Sequence, residues 1–187
     1  LLLGPDDRLL DLACGNGALS QYFFGKCEDF LGVDISAVLI EVAQRYFERP
    51  GRKFLLSDVA DYILNECQPE HFTKVLCYGS FSYFTEESAR LVLTRLSNDF
   101  CNVQRVFIGN LPDLRLQHLF YRDGRDHGLE LKSADSLIGI WRSEEEFRQL
   151  AADCGWQAHI SRMPQAFYAS HYRYDVLLTR VMQDDVD

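Results

Sequence analysis

The sequence predicts an α/β domain built on a parallel sheet, and three observations carry the prediction. Apolar runs of strand length alternate with helical patterns over roughly the first hundred residues, the rhythm of strands joined by crossover helices. The run Leu9-Leu10-Asp11-Leu12-Ala13 breaks at Gly15 and Gly17 into a helical pattern, as a buried strand does when it turns sharply into a helix. Three acids, Asp11, Asp34 and Asp58, stand at the ends of three successive strands, and together they are more specific than any one of them.

Size and composition agree. A chain of 187 residues is expected to fold as one domain, 1–187, with a sizeable core, and 47% hydrophobic and 13% aromatic residues describe a well-packed globule. The net charge of −9 argues against a nucleic-acid partner, because phosphate binding needs a basic face. The six cysteines are scattered without a CxxC pair, which suggests a reducing, cytoplasmic setting and no zinc site. No apolar run reaches the ~18 residues of a membrane span, and Leu1-Leu2-Leu3 is followed at once by Gly4-Pro5-Asp6-Asp7, unlike a signal peptide.

In order along the chain, Leu9 to Ala13 is the first strand and Ala18 to Cys27 the first helix. Phe30 to Val33 is a short strand ending in Asp34, and Ser36 caps a helix to about Glu48 that Pro50-Gly51 ends. Lys53 to Leu56 is the third strand, after which Asp58 caps a helix from Val59 to Asn65. Thr73 to Tyr78 is the fourth, Thr85 caps a helix from about Glu86 to Asp99, and Val103 to Gly109 is the fifth strand. The rhythm then breaks. Residues 110–140 are polar and mixed, with a short helix over Leu114 to Tyr121 and a turn-rich loop over Asp123 to Gly128; a connection this long in a compact domain is usually functional, and it is the candidate substrate lid. Ser143 and Glu146 form a capping box for a helix to about Cys154, and Trp156 to Met163 and Tyr172 to Val181 are the last two strands.

Which ligand the glycine turn holds follows from its neighbours. A side chain at Gly15 or Gly17 would hold the backbone away from a ligand, and glycine tolerates the φ > 0 of a tight turn. A dinucleotide fingerprint wants a third glycine three residues later, where this chain has Ser20. Asp11 under the loop would sit badly beside a pyrophosphate and well beside a cation. S-adenosylmethionine, with a sulfonium, an ammonium and one carboxylate, fits. Here the sequence resembles the class I S-adenosylmethionine-dependent methyltransferases, whose first motif Asp11-Leu12-Ala13-Cys14-Gly15-Asn16-Gly17 matches, with Ala13 in the first small-residue position.

The resemblance runs from Arg8 to Val181 and implies a three-layer α/β/α sandwich, with a mostly parallel seven-stranded sheet and an antiparallel last strand. It also implies a helical segment before the first strand, so the chain is expected to lack an N-terminal segment that helps close over the cofactor. Asp34, with Ile35 beside it, lies where an acid meets the ribose and can accept from both hydroxyls. By the same resemblance Asp58 bonds the adenine amino group and Val59 packs on the ring, alongside or instead of the capping role. The end of the fourth strand should face the transferred methyl group. Methyltransferases of base or amide nitrogens often carry an Asn/Asp-Pro-Pro-aromatic sequence there, whereas this chain has Cys77-Tyr78-Gly79-Ser80. Tyr78, Phe81, Tyr83 and Phe84 could wall the site and favour a sulfonium, or belong to the core.

Methyl transfer is an in-line displacement in which positioning supplies much of the acceleration, and no metal is required. A hydroxyl acceptor usually needs a general base, for which histidine is favoured. Of five histidines, His118 and His127 lie in the lid, and His127 is the first choice as base, with Asp126 either orienting it or serving the turn. Asp123, Asp126 and His127 as metal ligands are less favoured than turn chemistry. The aromatic, hydrogen-bond-rich segment Phe167 to Asp175 suits a sugar or polar metabolite. The expected function is methyl transfer from S-adenosylmethionine to a hydroxyl or amine of a small molecule, a sugar or secondary metabolite; the alternatives are a non-catalytic S-adenosylmethionine-binding regulatory domain and a nicotinamide oxidoreductase, the latter disfavoured by Asp11 and Ser20.

Overall fold

The apolar run at the start of the motif becomes β1 (Arg8–Leu12), whose Leu9, Leu10, Asp11 and Leu12 are all buried, as in a strand covered on both faces. The computed structural model describes residues 1–181. Around β1 lie β2 (Asp29–Asp34), β3 (Arg52–Leu56), β4 (Lys74–Tyr78), β5 (Arg105–Pro112), β6 (Trp156–Arg162) and β7 (Arg173–Arg180), in the order β3-β2-β1-β4-β5-β7-β6. Neighbours from β3 to β5 are parallel, and β7 runs antiparallel to both β5 and β6. This is the seven-stranded sheet with an antiparallel last strand that the resemblance implied.

Four helices flank it, each started by the side chain that the sequence offers. Ser36 accepts from Leu39 N–H at the start of α1 (Ala37–Phe47), Asp58 from Ala60 and Asp61 at α2 (Val59–Asn65), and Thr85 from Ser88 at α3 (Glu86–Asn98). At α4 (Glu144–Asp153) Ser143 and Glu146 close the reciprocal capping box. One face of the sheet, with Leu10, Val75, Val106 and Leu178, packs on Leu93 and Leu96 of α3 and Phe147 of α4. The other face, with Leu9, Phe30 and Leu76, packs on Ile40 and Ala43 of α1 and on Phe24.

Three expectations need correction. The helix foreseen over Ala18 to Cys27 is a single 3-10 turn, Ser20–Phe23, continued by tight bonds such as Lys26 N–H to Phe23 O. Gly25 disfavours helix there, and Ser20 spends its hydroxyl on Asp11. β5 does not stop at Gly109 but runs to Pro112, because a register shift between Ile108 and Leu111, with Asn110 at φ +67°, lets it bend and go on. The lid therefore starts at Asp113. Within it, the foreseen helix is a 3-10 stretch, Leu114–Leu119. The lid has its own small core, in which Leu131 and Trp141 pack with Ala169 and Tyr172 against Phe120 and Tyr121.

Candidate active site

Three left-handed residues shape the loop after β1: Ala13 at φ +57°, Gly15 at +59° and Gly17 at +75°. For Ala13 that conformation costs roughly 1–2 kcal/mol, a strain tolerated because the surroundings hold the turn. Cys14 N–H bonds Val33 O at 3.0 Å, drawing the loop onto β2. That approach requires Gly32, where a Cβ would lie 2.7 Å from Cys14 Sγ. Gly17 is pressed between the rings of Phe47 and Phe54, whereas a Cβ on Gly15 would meet nothing within 4 Å. Gly15 thus borders open space above the strand ends.

The acids hold the loop from below. Asp34 is 7% exposed; Oδ2 accepts from Gly15 N–H and Oδ1 from Ser36 N–H, both at 2.8 Å. Each oxygen keeps a second lone pair. Asp11 is fully covered and accepts from Ser20 Oγ at 2.7 Å, so the residue in the third-glycine position serves this carboxylate. Burial, with the negative charge of Asp34 adding to it, pushes the Asp11 carboxyl up to about 7 against the bond from Ser20. Asp58 is an N-cap: Oδ1 takes Ala60 N–H at 2.7 Å and Asp61 N–H at 3.2 Å. Val59 is 6% exposed and packs in the main core, so its side chain does not reach outward as expected. The apolar side chains that stand open at these strand ends are Ile35 and Leu56.

At the end of β4, Tyr78 is half-buried, its ring so close to β5 that a Cβ on Gly109 would lie 2.4 Å from it. Burial, and after it the charge of Asp175, pushes the Tyr78 phenol up. Phe81 is core, 5.6 Å from Phe147 ring to ring, while Tyr83 is exposed and donates to Leu137 O at 2.9 Å, tying the lid to the end of β4. Ser80 Oγ donates to Ala13 O at 3.5 Å, a link between β4 and the loop that sequence reasoning missed.

Neither lid histidine is placed as a free base. His127 stacks on Tyr121 at 3.9 Å, with Nε2 2.8 Å from Asp123 and Nδ1 3.1 Å from Glu130. The bond to Asp123, and then that to Glu130, pushes its imidazole up, and both ring nitrogens are taken by carboxylates. Asp126 instead accepts from Gly128 N–H at 2.9 Å, the turn role, and the acid beside the imidazole is Asp123. His118 is exposed on the 3-10 stretch.

The polar groups that do gather beside Tyr78 come from β5 and β7. Asn110 N–H donates to Asp175 Oδ1 at 2.8 Å, and Arg173 Nη1 donates to Asn110 O at 2.5 Å. Arg173 Nε is buried without a partner among the described residues. Burial pushes the Asp175 carboxyl up against the bond from Asn110. Asp175 and Tyr78 border a cleft of about 360 Å³ together with Leu1, Leu76, Phe107, Phe23 and Phe167, while Asn110 and Arg173 line a neighbouring hollow that shares Tyr78. The alternation of β7 was the available signal, since Tyr174 and Val176 face the core and Arg173 and Asp175 the other way. A larger cavity of about 520 Å³ lies between the lid, α3 and α4, lined by Glu86, Arg90, Trp141 and Arg142 and by none of the loop residues.

A doubly wound sheet with an antiparallel seventh strand, and a glycine loop docked on an acid at the end of β2, define the class I, Rossmann-like S-adenosylmethionine-dependent methyltransferases. Residues 9–98 match the family model described as a methyltransferase domain. An uncharacterized methyltransferase of Schizosaccharomyces pombe is 29% identical over 110 residues, 55% of this chain; the chain covers 38% of that relative's length. Among solved structures, a putative methyltransferase of Haloferax volcanii, in complex with its Trm112 activator, aligns with a TM-score of 0.74 at 12% identity over 96% of this chain and 85% of that one. Magnesium protoporphyrin IX methyltransferase of Synechocystis, with bound S-adenosylhomocysteine, aligns with a TM-score of 0.68 at 19% identity over 95% and 75%. The chain has the fold of this class, and that fold together with the family match over residues 9–98 supports S-adenosylmethionine as the cofactor. The residues fit it: open space at Gly15, free lone pairs on Asp34, and Ile35 and Leu56 exposed for an apolar ring.

No helix among the described residues is long and apolar enough to cross a membrane.

Proposed function

We propose that this chain transfers the methyl group of S-adenosylmethionine to a hydroxyl or amine of a small molecule, with sugars and secondary metabolites as the classes to screen. The observation that carries the reading is the cleft beside Tyr78, about 360 Å³, which falls in the range of small-ligand sites and opens at the carboxyl end of β4. The net charge of −9 supports a partner other than nucleic acid. Bound S-adenosylmethionine supplies a methyl group on a positively charged sulfur, open to displacement.

The residues of this chain bind and orient. Ala13, Gly15 and Gly17 set the backbone path that lets the cofactor lie close, and Asp34 accepts from the ribose hydroxyls. Ile35 covers one side of the adenine, Asp58 offers its second oxygen to the amino group, and Val59 contributes main chain only. Asp11 braces the loop from beneath through its bond from Ser20, and Tyr78 walls the methyl side. All six cysteines are free thiols, which suits a cytoplasmic setting.

Isothermal titration of the purified chain with S-adenosylmethionine, S-adenosylhomocysteine and NADH tests the cofactor half of the reading. The first two are expected to bind and the third not; binding of NADH alone would overturn it.

A further inference from the structure

The acceptor needs a group to take its proton, and the site described above supplies one outside the lid. Three features of β5 and β7 converge on it. The register shift in β5 puts Asn110 at φ +67°, a conformation uncommon outside glycine, and turns its N–H onto Asp175 Oδ1 at 2.8 Å. This fixes the carboxylate and leaves Oδ2 without a hydrogen-bond partner among the described residues. Asp175 then forms, with Tyr78, the polar end of a cleft whose other lining side chains are apolar, among them Leu76 and Phe107 of the sheet, Phe23, Phe167, and Leu1, which also brings the terminal amino group near. Beside it, Arg173 is held by Asn110 O and keeps a buried Nε with no partner, a donor whose free energy improves if an oxygen is brought to it.

We propose that Asp175 is the proton acceptor of the reaction, and that the substrate is a hydroxyl on an apolar, ring-sized body rather than a sugar. This deepens the methyltransferase reading and rests on it. The hydroxyl sits at the Tyr78 and Asp175 end, and the body lies along the aliphatic and aromatic walls. In the step, the oxygen lone pair forms the new bond to the methyl carbon, the carbon–sulfur bond breaks with its pair retained on sulfur, and the hydroxyl proton passes to Asp175 Oδ2. The protonated carboxyl returns its proton to water when the product leaves. Asn110, itself held by Arg173, is a positioning residue that fixes Asp175.

A carboxylate in this place has the right chemistry. It is half-buried, and burial shifts its acidity toward that of a working general base, as the opposed bond from Asn110 does not fully compensate. The charged and titratable groups around it are the Tyr78 phenol from β4 and the Arg173 guanidinium from its own strand; β5 presents Gly109 and Asn110, and β6 pairs Ser161 opposite it.

The test uses 2-naphthol as acceptor with S-adenosylmethionine, following methylated product, against a panel of simple sugars. The wild type is expected to methylate 2-naphthol in preference to the sugars. Its turnover should fall on the acid side at a pH above the ordinary carboxylate range. Asp175→Asn, which keeps an oxygen for Asn110 N–H, should lower turnover by roughly 100-fold or more while the affinity for S-adenosylhomocysteine in titration is unchanged. Asp175→Glu should restore part of the rate. Turnover of Asp175→Asn within about threefold of wild type overturns the role of Asp175 while leaving the methyltransferase reading intact. Should the variant fail to fold, the wild-type pH profile decides, and a rate that stays level through the acid range overturns the role. Methylation of sugars without 2-naphthol, or of neither, overturns the acceptor class. Failure to bind S-adenosylmethionine at all strikes instead at the reading beneath it.

Discussion

Over β1, β2 and β3 each group offered to the cofactor stands within a residue or two of a strand end, in a loop whose backbone is dictated by glycines. Over β5 and β7 the polar shelf joins Asn110 to Asp175, 65 positions apart, through a single bond made possible by one irregular turn of backbone. Both halves lie at the carboxyl ends of the parallel strands, where ligands gather in open α/β sheets. The contrast teaches that a site for a fixed ligand is written locally, by steric rules that few residues satisfy. A site for a variable ligand is assembled across elements from residues that any surface strand could carry.

The steric half breaks most severely at Gly32. Replacing it with valine puts a Cβ 2.7 Å from Cys14 Sγ and 2.8 Å from the Phe54 ring, so both must shift. Overpacking of this kind costs on the order of 3 kcal/mol, or roughly 6–12 °C in melting temperature for a chain this size. Calorimetry should show that fall together with weakened S-adenosylmethionine binding; a wild-type melt would mean the loop does not depend on its approach to β2.

Asp34→Ala sharpens the same comparison without disturbing the core. It removes the acceptor for Gly15 N–H and the lone pairs offered to the ribose, and should weaken S-adenosylmethionine by about 1–3 kcal/mol in titration. Unchanged affinity would remove Asp34 from the cofactor site.

Asp11 gives a pH signature to the cofactor half. Its carboxyl is raised from 3.8 to about 7, so the folded protein holds a proton there that the unfolded chain releases. Stability of the cofactor-free protein therefore falls as pH rises from about 4 toward 7, by at most about 1.4 kcal/mol per pH unit, and levels off above that. Ser20→Ala should extend the fall to higher pH, since the Ser20 hydroxyl favours the ionised form. Chemical denaturation across that range checks both; a pH dependence that survives in Asp11→Asn would assign the effect elsewhere.

These expectations track what the sequence made legible. The strands and the four capped helices rest on apolar runs and on Ser36, Asp58, Thr85 and Ser143 as caps, local signals that survive folding unchanged, whereas the antiparallel last strand was implied only by the resemblance. The helix foreseen after Gly17 failed because Ser20 had a tertiary partner in Asp11, which no periodicity shows. Val59 turns its side chain into the core because a residue following a cap can point inward as readily as outward. Arg173 and Asp175 lay in a segment the sequence marked as rich in hydrogen-bonding groups, but their meeting with Asn110 went unseen because it depends on the register shift in β5.

The smallest effect belongs to the residue to which the sequence pointed first. His127 is held between Asp123 and Glu130 on the Tyr121 ring, so neither ring nitrogen is left free. Because its partners are exposed carboxylates, solvent screening leaves these ion pairs little weight. His127→Ala should leave S-adenosylmethionine affinity unchanged and turnover within about threefold of wild type. The pairing of His127 also predicts the sign of a pH effect. The imidazole's affinity for its proton is raised in the folded state, so its contribution to lid stability is present at acid pH and lost as pH rises through that elevated value. Hydrogen exchange in the lid, faster at alkaline pH than the chemical rate alone explains, and insensitive to pH in His127→Ala, would locate the residue there. A hundredfold loss of turnover in the same variant would instead return the base to the lid and dissolve the division between the two halves.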